Sequence, residues 1–372
     1  MNPLGTPLVS VVIATYNHAP FVQAAIQSVL SQEGVEFEVL VADDGSTDGT
    51  ADLVSEMSDH RLHFESHRNN RGACVVTNEL ISKARGEYIA VLNSDDVWLA
   101  PDKLAYQVSV LRTDERLGAT FGRVEFMDRS GARIEKKSLH FGNVFDQDNR
   151  SQAQWLRRFF YDGNCLCHPS ILIRKACYDK LGMYDNRLRQ LPDFDMWIRL
   201  VKDRPIHVSE RALTGFRILP GENASAQTPV NSIRTINEHY FIAERFFDGL
   251  DPSMLQAVFE GRLTHPVSEQ NSGIEAALLL LNTEVPGLAV PYQFLGMLKM
   301  HDLLADPEAR AVLQSQYGID DRWFHQRAGG VSNDTLRNEI LRLTAETKEL
   351  RESTSWRITA PLRSLSSMLR KH

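Results

Sequence analysis

Near the start of the chain, apolar β-branched residues come in short unbroken runs, each followed by a polar cluster and then by residues at helical spacing. Leu8-Val-Ser-Val-Val-Ile-Ala14 is such a run, of the kind that forms a strand buried on both faces of a parallel sheet. It gives way to Thr15-Tyr16-Asn17, after which Phe21, Ala25, Ile26 and Val29 share one face of a predicted helix ending at Leu30. Phe37-Glu-Val-Leu-Val-Ala42 predicts a second strand, stopped by Asp43-Asp44-Gly45-Ser46. A third helix-then-strand unit runs from Ala73 to Leu92, with Gly86 as its break. Strand and helix alternating in this way predict an α/β fold, a doubly wound and mostly parallel sheet flanked by helices. In such sheets ligands bind beyond the carboxyl ends of the strands. The clusters Thr15-Tyr16-Asn17, Asp43-Asp44 and Asn93-Ser94-Asp95-Asp96 fall there, so they are expected to meet in one crevice.

Farther along, the pattern is irregular from Phe121 to Asp148, and Trp155–Tyr161, Ser170–Arg174, Leu191–Val201 and Ile206–Phe216 complete a first domain, residues 1–225. Residues 226–330 read as a helical extension ending in the linker Ala328-Gly-Gly330. Leu336, Ile340, Leu343, Thr347 and Leu350 then recur at alternating four- and three-residue steps, a short coiled-coil seam over 331–352 that predicts a homo-oligomer. The tail 353–372 is basic, and Ile358, Leu362, Leu365 and Leu369 can share one helical face. Such a face suits either the inner-membrane surface or packing on protein. No run of about 18 apolar residues occurs, and nothing at the N-terminus reads as a signal peptide. A cytoplasmic chain, peripheral at most on the membrane's inner face, is the expectation.

Charge narrows the function classes. The net charge of −7 over 372 residues argues against a general nucleic-acid binder, which wants a basic surface, but not against a pocket for one nucleotide. Four cysteines without a regular framework suit free thiols. Cys165-Leu-Cys167-His168 lacks the second matched ligand pair of a structural zinc site.

Three acidic segments could carry chemistry. Asp95-Asp96 after a buried strand is either a turn with exposed acids or a pair whose repulsion a bound cation relieves. Magnesium and manganese are commonly held by one or two carboxylates together with substrate phosphates. Asp43-Asp44-Gly45-Ser46-Thr47-Asp48 is either a turn with a helix cap or a carboxylate aimed at a base or ribose. Asp193 and Asp195 open a helix behind Pro192, where carboxylates cap and favour the dipole; a base that takes an acceptor's hydroxyl proton is the other reading.

Taken in order, Val9-Ser-Val-Val-Ile-Ala-Thr-Tyr-Asn17, Val41-Ala-Asp-Asp-Gly-Ser-Thr-Asp48 and Gly86-Glu-Tyr-Ile-Ala-Val-Leu-Asn-Ser-Asp-Asp96 resemble the family 2 glycosyltransferases. So do Asn70, Gly72 and Asn78, His168-Pro-Ser170, Leu181-Gly182 and Asp193-Phe-Asp-Met-Trp-Ile-Arg199. The resemblance covers about residues 8–225. It implies the GT-A fold, a Rossmann-like sheet, and an inverting transfer from a nucleotide-diphosphate sugar to a hydroxyl acceptor. It implies that Thr15, Tyr16, Asn17, Asp44, Asn78 and Asp95 bind the donor, that Asp96 binds a divalent Mn2+ or Mg2+ ion, and that Asp193 is the general base. His168, Asp195, Trp197 and Arg217 are then expected on the acceptor side, with Gly221-Glu-Asn-Ala-Ser225 as a loop closing over the donor. Asn93 stands where many relatives carry an acid, Thr77 replaces a common Arg, and Pro192 a common Glu. The tail segment Ser353–Arg363 resembles one found on many bacterial polysaccharide-assembly glycosyltransferases. The family analogy implies cell-surface polysaccharide synthesis on a saccharide or lipid-linked saccharide acceptor. Two rivals stand beside this reading. A sugar-nucleotide nucleotidyltransferase would want a glycine-rich basic loop after its first strand, which Thr15-Tyr16-Asn17-His18 is not. A non-catalytic coiled-coil scaffold would leave the acids as turns.

Overall fold

The first apolar run is strand β1, Val9–Thr15, in the computed structural model of the protein, which describes residues 7–223, 228–285 and 287–330. Helix α1 (Val22–Leu30) buries Val22, Ala25, Ile26 and Val29, the apolar face its spacing predicts. Strand β2 (Phe37–Asp43), helix α2 (Thr50–Ser55), strand β3 (Leu62–Ser66), helix α3 (Ala73–Lys83), strand β4 (Tyr88–Val91) and strand β5 (Val97–Trp98) follow. Every residue of β2 and β4 is buried, which is why these strands read as unbroken runs. Next come helix α4 (Lys103–Thr113), strand β6 (Ala119–Met127), strand β7 (Arg133–Ile134), helix α5 (Gln152–Asp162), strand β8 (Leu172–Arg174), helix α6 (Lys175–Leu181), helix α7 (Pro192–Asp203) and strand β9 (Ile206–Arg217). The stretch that reads as irregular from Phe121 thus holds most of a nine-residue strand, β6.

Among the described residues the sheet runs β3-β2-β1-β4-β8-β6-β9-β5, with β7 on β6. The first four strands are parallel, β8 is antiparallel to both β4 and β6, and β9 is parallel to β6. Strand direction therefore decides what gathers at one edge. The carboxyl ends of β1, β2, β4, β6 and β9 all point the same way, and the start of the reversed strand β8 lies with them. Thr15, Asp43, the turn after Val91, Asp128, Arg217 and the segment before Leu172 consequently share one rim. Register shifts at Gly122–Val124 break the β6–β9 ladder, the kind of irregularity that bends a strand pair.

The chain divides into two compact units, Met1–Arg262 and Leu263–His372. The boundary expected after residue 225 falls inside the first unit. Helices α8 (Pro229–Glu244) and α9 (Pro252–Val258) belong to it, because aromatic rings bind them there. Phe160 of α5 meets Phe246 at 5.2 Å and Phe259 at 5.1 Å, both edge-on. The second unit contains α10 (Ser272–Leu281), α11 (Ala289–Ala305), α12 (Pro307–Val312) and α13 (Asp321–Ala328) around Ile274, Leu281, Met300 and Leu313. No helix among the described residues is long and apolar enough to cross a membrane. The seam 331–352 and the tail 353–372, with the oligomer and membrane contacts expected of them, lie outside the described residues.

Candidate active site

Two loops knit the first corner of the rim. Asn17 adopts a positive φ of 52°, tolerable for Asn because its short side chain bonds locally. Its amide donates to Ser46 Oγ (2.8 Å), and its side-chain oxygen accepts from Thr47 N–H (2.9 Å). Asn17 is thus committed to holding the loop after β2, whereas Tyr16 is 44% exposed over the rim. Asp44 is buried, and its two carboxylate oxygens accept from the amides of Arg71 (2.7 Å) and Gly72 (2.8 Å). One lone pair on each oxygen remains, and the loop before α3 is pinned to the end of β2. Thr15 and Asp43 face each other in register, and Thr15 Oγ1 and Asp43 Oδ1 are buried with no partner among the described residues. A buried polar atom left without a partner is costly and calls for one.

The second corner is the pair Asp95 and Asp96, 7% and 2% exposed. Asp96 Oδ1 accepts from the Arg217 amide (2.7 Å) and Oδ2 from Asn93 Nδ2 (3.0 Å). Asn93 therefore acts as a donor that fixes Asp96, where an acid would repel it. Asp95 Oδ2 accepts from Asn223 Nδ2 at 3.2 Å. The Arg217 guanidinium does not pair with either carboxylate. It donates instead to the main-chain oxygens of Asp95 (2.7 Å), Asp128 and Arg129 (2.9 Å each), and it lies 4.9 Å over the ring of Phe21. Arg217 belongs to this corner and not with the acceptor-side groups. Burial pushes both carboxyls above the usual range, and Asp95's charge pushes Asp96 further. A hard cation is what relieves such a pair. Among the described residues no three His, Cys, Asp or Glu side chains cluster as a metal cage, so a cation here would need oxygens from its substrate as well. The donor chemistry fits that arrangement.

Asp193 forms the third corner, half-buried in the first turn of α7. Its Oδ2 accepts from Asn164 Nδ2 (2.8 Å), and its Oδ1 from the Phe194 amide (2.8 Å). Burial pushes its carboxyl up to about 6, with the charge of Glu238 adding to the shift. The Cys167 thiol is buried and held well above its ordinary value by burial and then by the charges of both Asp96 and Asp193. His168 follows it, its Nε2 in a 2.9 Å hydrogen bond with Tyr184 OH. Desolvation brings that imidazole down to about 4, so it is neutral near pH 7.

Three expected site residues stand elsewhere. Trp197 is 0% exposed, edge-on to Phe121 at 4.9 Å and 5.8 Å from the His168 ring. It backs the site from the core and has no surface to offer an acceptor. Asn78 clamps the turn before α7, donating to Tyr184 O and Asn186 Oδ1 (2.8 Å each) and accepting from the Tyr184 amide; it does not face the rim's donor corner. Asp195 lies two residues beyond Asp193, on the opposite side of α7. It holds Arg199 at 2.9 Å and lines a separate cavity of about 530 Å3 with Met183, Lys202 and Arg245. An Asp195→Asn variant should lose about 0.5–1 kcal/mol of stability, as for a part-exposed ion pair. Urea melts check this, and a variant as stable as wild type would show that the pair with Arg199 contributes nothing to the fold.

Sequence reasoning passed over Asn164, Glu238 and Asn223 as individual contacts. Asn223 closes on Asp95 and also bonds Arg217 O and Leu219 N–H. Glu238 touches the chain 47 to 49 residues away, a separation at which no local pattern reports.

Residues 10–177 match the family described as Glycosyl transferase family 2. TuaG of Bacillus subtilis (strain 168), a glycosyltransferase assigned to teichuronic acid biosynthesis, is 35% identical over 198 residues, 53% of this chain and 73% of that one. The solved structure of S. aureus TarS 1-349 with UDP-GlcNAc aligns with a TM-score of 0.54 at 18% identity, over 82% of this chain and 87% of that one. A mannosyltransferase, PcManGT from Pyrobaculum calidifontis, solved with GDP-Man and Mn2+, aligns at 0.52 and 18% identity over 88% of this chain and 85% of that one. These likenesses show the GT-A fold. With the rim of three acidic corners and the kinship to TuaG, the chain belongs to glycosyl transferase family 2.

Proposed function

We propose that the protein is an inverting glycosyltransferase that moves a sugar from a nucleotide-diphosphate sugar to a hydroxyl of a saccharide or lipid-linked saccharide, in the assembly of a cell-surface polysaccharide. The observation that carries this reading is Asp193. Burial pushes its carboxyl up to about 6, each oxygen has a lone pair beyond its one hydrogen bond, and the buried Cys167 thiol feels the charges of both Asp193 and Asp96. A base poised just below working pH suits a hydroxyl whose proton leaves as the new bond forms. The acceptor oxygen would attack C1 of the sugar on the face opposite the diphosphate. The bond from C1 to the diphosphate oxygen breaks as the new one forms, and the hydroxyl proton passes to Asp193. Thr15, Tyr16 and Asp44 would border the nucleoside, with Tyr16 free to lie along it. A divalent cation, Mn2+ or Mg2+, would be held by Asp95 and Asp96 with oxygens of the donor diphosphate, and would neutralise the leaving group's charge. Arg217 and Asn93 hold that carboxylate pair in place through main-chain and amide contacts. Holding the reacting atoms in line then contributes much of the rate. The polysaccharide context is supported by the kinship to TuaG.

Thermal-shift titration of the full chain with nucleoside diphosphates, each with and without Mn2+, tests the reading. At about 100 times the dissociation constant, one diphosphate should stabilise by ~2.7 kcal/mol, several degrees in melting temperature, and only with the cation present. A panel that leaves the melt unmoved, with no cation-dependent turnover of any nucleotide sugar, would sink it.

A further inference from the structure

Glu238 is a charged side chain only 3% exposed, and its carboxylate faces main chain. Oε1 accepts from the Arg189 amide (2.9 Å), and Oε2 from those of Gln190 (2.7 Å) and Leu191 (2.8 Å). These are the last three residues before α7, whose cap position, Leu191, has no side-chain bond of its own. Hydrogen bonds from main-chain amides to an ionised carboxylate are the strong, charge-assisted kind, and three of them on one side chain fix the chain that leads into the helix. Here the carboxylate comes from another helix, α8, and the helix it closes carries Asp193 one residue past Pro192. The rest of the turn is also clamped. Asn78 holds Tyr184 and Asn186, and Arg199 donates to the oxygens of Leu181, Gly182 and Met183. Glu238 holds the part closest to the base.

We infer that Glu238 is a positioning residue for proton transfer: by gripping three successive amides it sets where the first turn of α7 presents Asp193 to the acceptor. The inference rests on the reading of Asp193 as the base. Its charge reaches Asp193 too, adding to burial in raising that carboxyl. Several titratable groups around the base are neutral near pH 7. Burial holds the Cys167 thiol and the Tyr184 phenol up, and desolvation brings the imidazoles of His168 and His239, which lie against Trp197 and Phe194, down to about 4. Asp195, on the same helix, is paired with Arg199, and Asp96 faces Cys167. Glu238 is a carboxylate whose charge adds to burial at Asp193, so the pH profile should register its loss.

The test compares Glu238→Gln and Glu238→Asp in the full chain. Glutamine removes the charge and leaves one carbonyl oxygen for three N–H donors. It should lower kcat about 10- to 100-fold with the donor KM within about twofold, as sub-ångström misplacement of a reacting group does. The acidic limb of the pH–rate profile should also move to lower pH. Aspartate keeps the charge on a shorter stem, so kcat should fall less and the limb should stay put. Wild-type kcat and an unmoved limb in Glu238→Gln overturn the inference, as does a fall in kcat matched by lost donor affinity. If Glu238→Gln gives no cooperative melt, Glu238→Asp decides on the same split between kcat and KM. An Asp193→Asn chain run alongside separates the two claims. If it transfers sugar within about tenfold of the wild-type rate, the base assignment itself has failed; if it is slowed about 10²-fold or more while Glu238→Gln matches wild type, only the positioning role has.

Discussion

An Asp193→Asn chain should transfer sugar about 10²–10⁴-fold more slowly than wild type while binding the donor as tightly. The substitution is nearly isosteric. The new amide oxygen can still accept from Asn164 or from the Phe194 amide, so the first turn of α7 keeps its place. What disappears is an oxygen able to take a proton. Donor affinity should be spared because the acidic pair and the Thr15–Asp44 corner lie on other strand ends. The pH dependence of the wild type gives an independent check. Burial lifts this carboxyl from an ordinary 3.8 to about 6, so turnover should fall as pH drops through about 6, where an unperturbed aspartate would stay active to about two units lower. Stability follows the opposite course. A raised folded-state pKa contributes stability below the unfolded value, and that contribution is lost as pH rises through about 6. The asparagine variant should therefore melt slightly higher than wild type above pH 6 and match it in acid. Calorimetric titration with the nucleoside diphosphate, beside initial rates, reads both claims; a variant that has lost donor affinity removes Asp193 from the acceptor side.

Legibility followed burial and sequence distance. Strands β1, β2 and β4 are buried on both faces, so they stood out as apolar runs, and the rim they build was foreseeable from strand direction. Strand β3 alternates between partial burial and exposure, and β6 carries Gly122, Arg123 and Glu125 within its span; neither presents the unbroken signal. The acids at Asp44, Asp96 and Asp193 were legible as clusters, but their partners were not. Glu238 reaches residues 189–191 and Asn78 reaches residues 184–186 only because tertiary packing brings distant helices against one turn. The division into compact units depends on the same kind of contact. A change to helical composition after Gly221 looked like a new domain, whereas Phe246 and Phe259 bury their rings against Phe160 of the catalytic unit. Asp193 and Asp195 read alike in the sequence, although two residues along a helix is more than half a turn and sets them on different faces.

Replacing Asp96 by asparagine should separate stability from activity in opposite directions. In the wild type without a cation, two adjacent buried carboxylates share the site, and burial together with their mutual repulsion raises both. Such groups contribute stability below their unfolded pKa and lose it as pH rises through the folded values, so near neutral pH the pair is a burden on the fold. Asparagine removes one charge at nearly constant shape. Its oxygen can accept from the Arg217 amide, and the Asn93 amide need only turn over to accept from the new NH2 group. The apo variant should then gain on the order of 1 kcal/mol at pH 7, about 2–4 °C in melting temperature, a gain that vanishes toward pH 3. Turnover should fall by about 10²–10³-fold, since charge stabilisation of a leaving diphosphate contributes several kcal/mol. Added Mn2+ should raise the wild-type melting temperature through its ionised pair and move the variant's less, which reverses their order at high cation. Melts with and without Mn2+ across pH 4–8 read all of this. A variant less stable than wild type at pH 7 without cation would mean that the hydrogen bonds from Arg217 and Asn93, and not the repulsion between Asp95 and Asp96, dominate this corner.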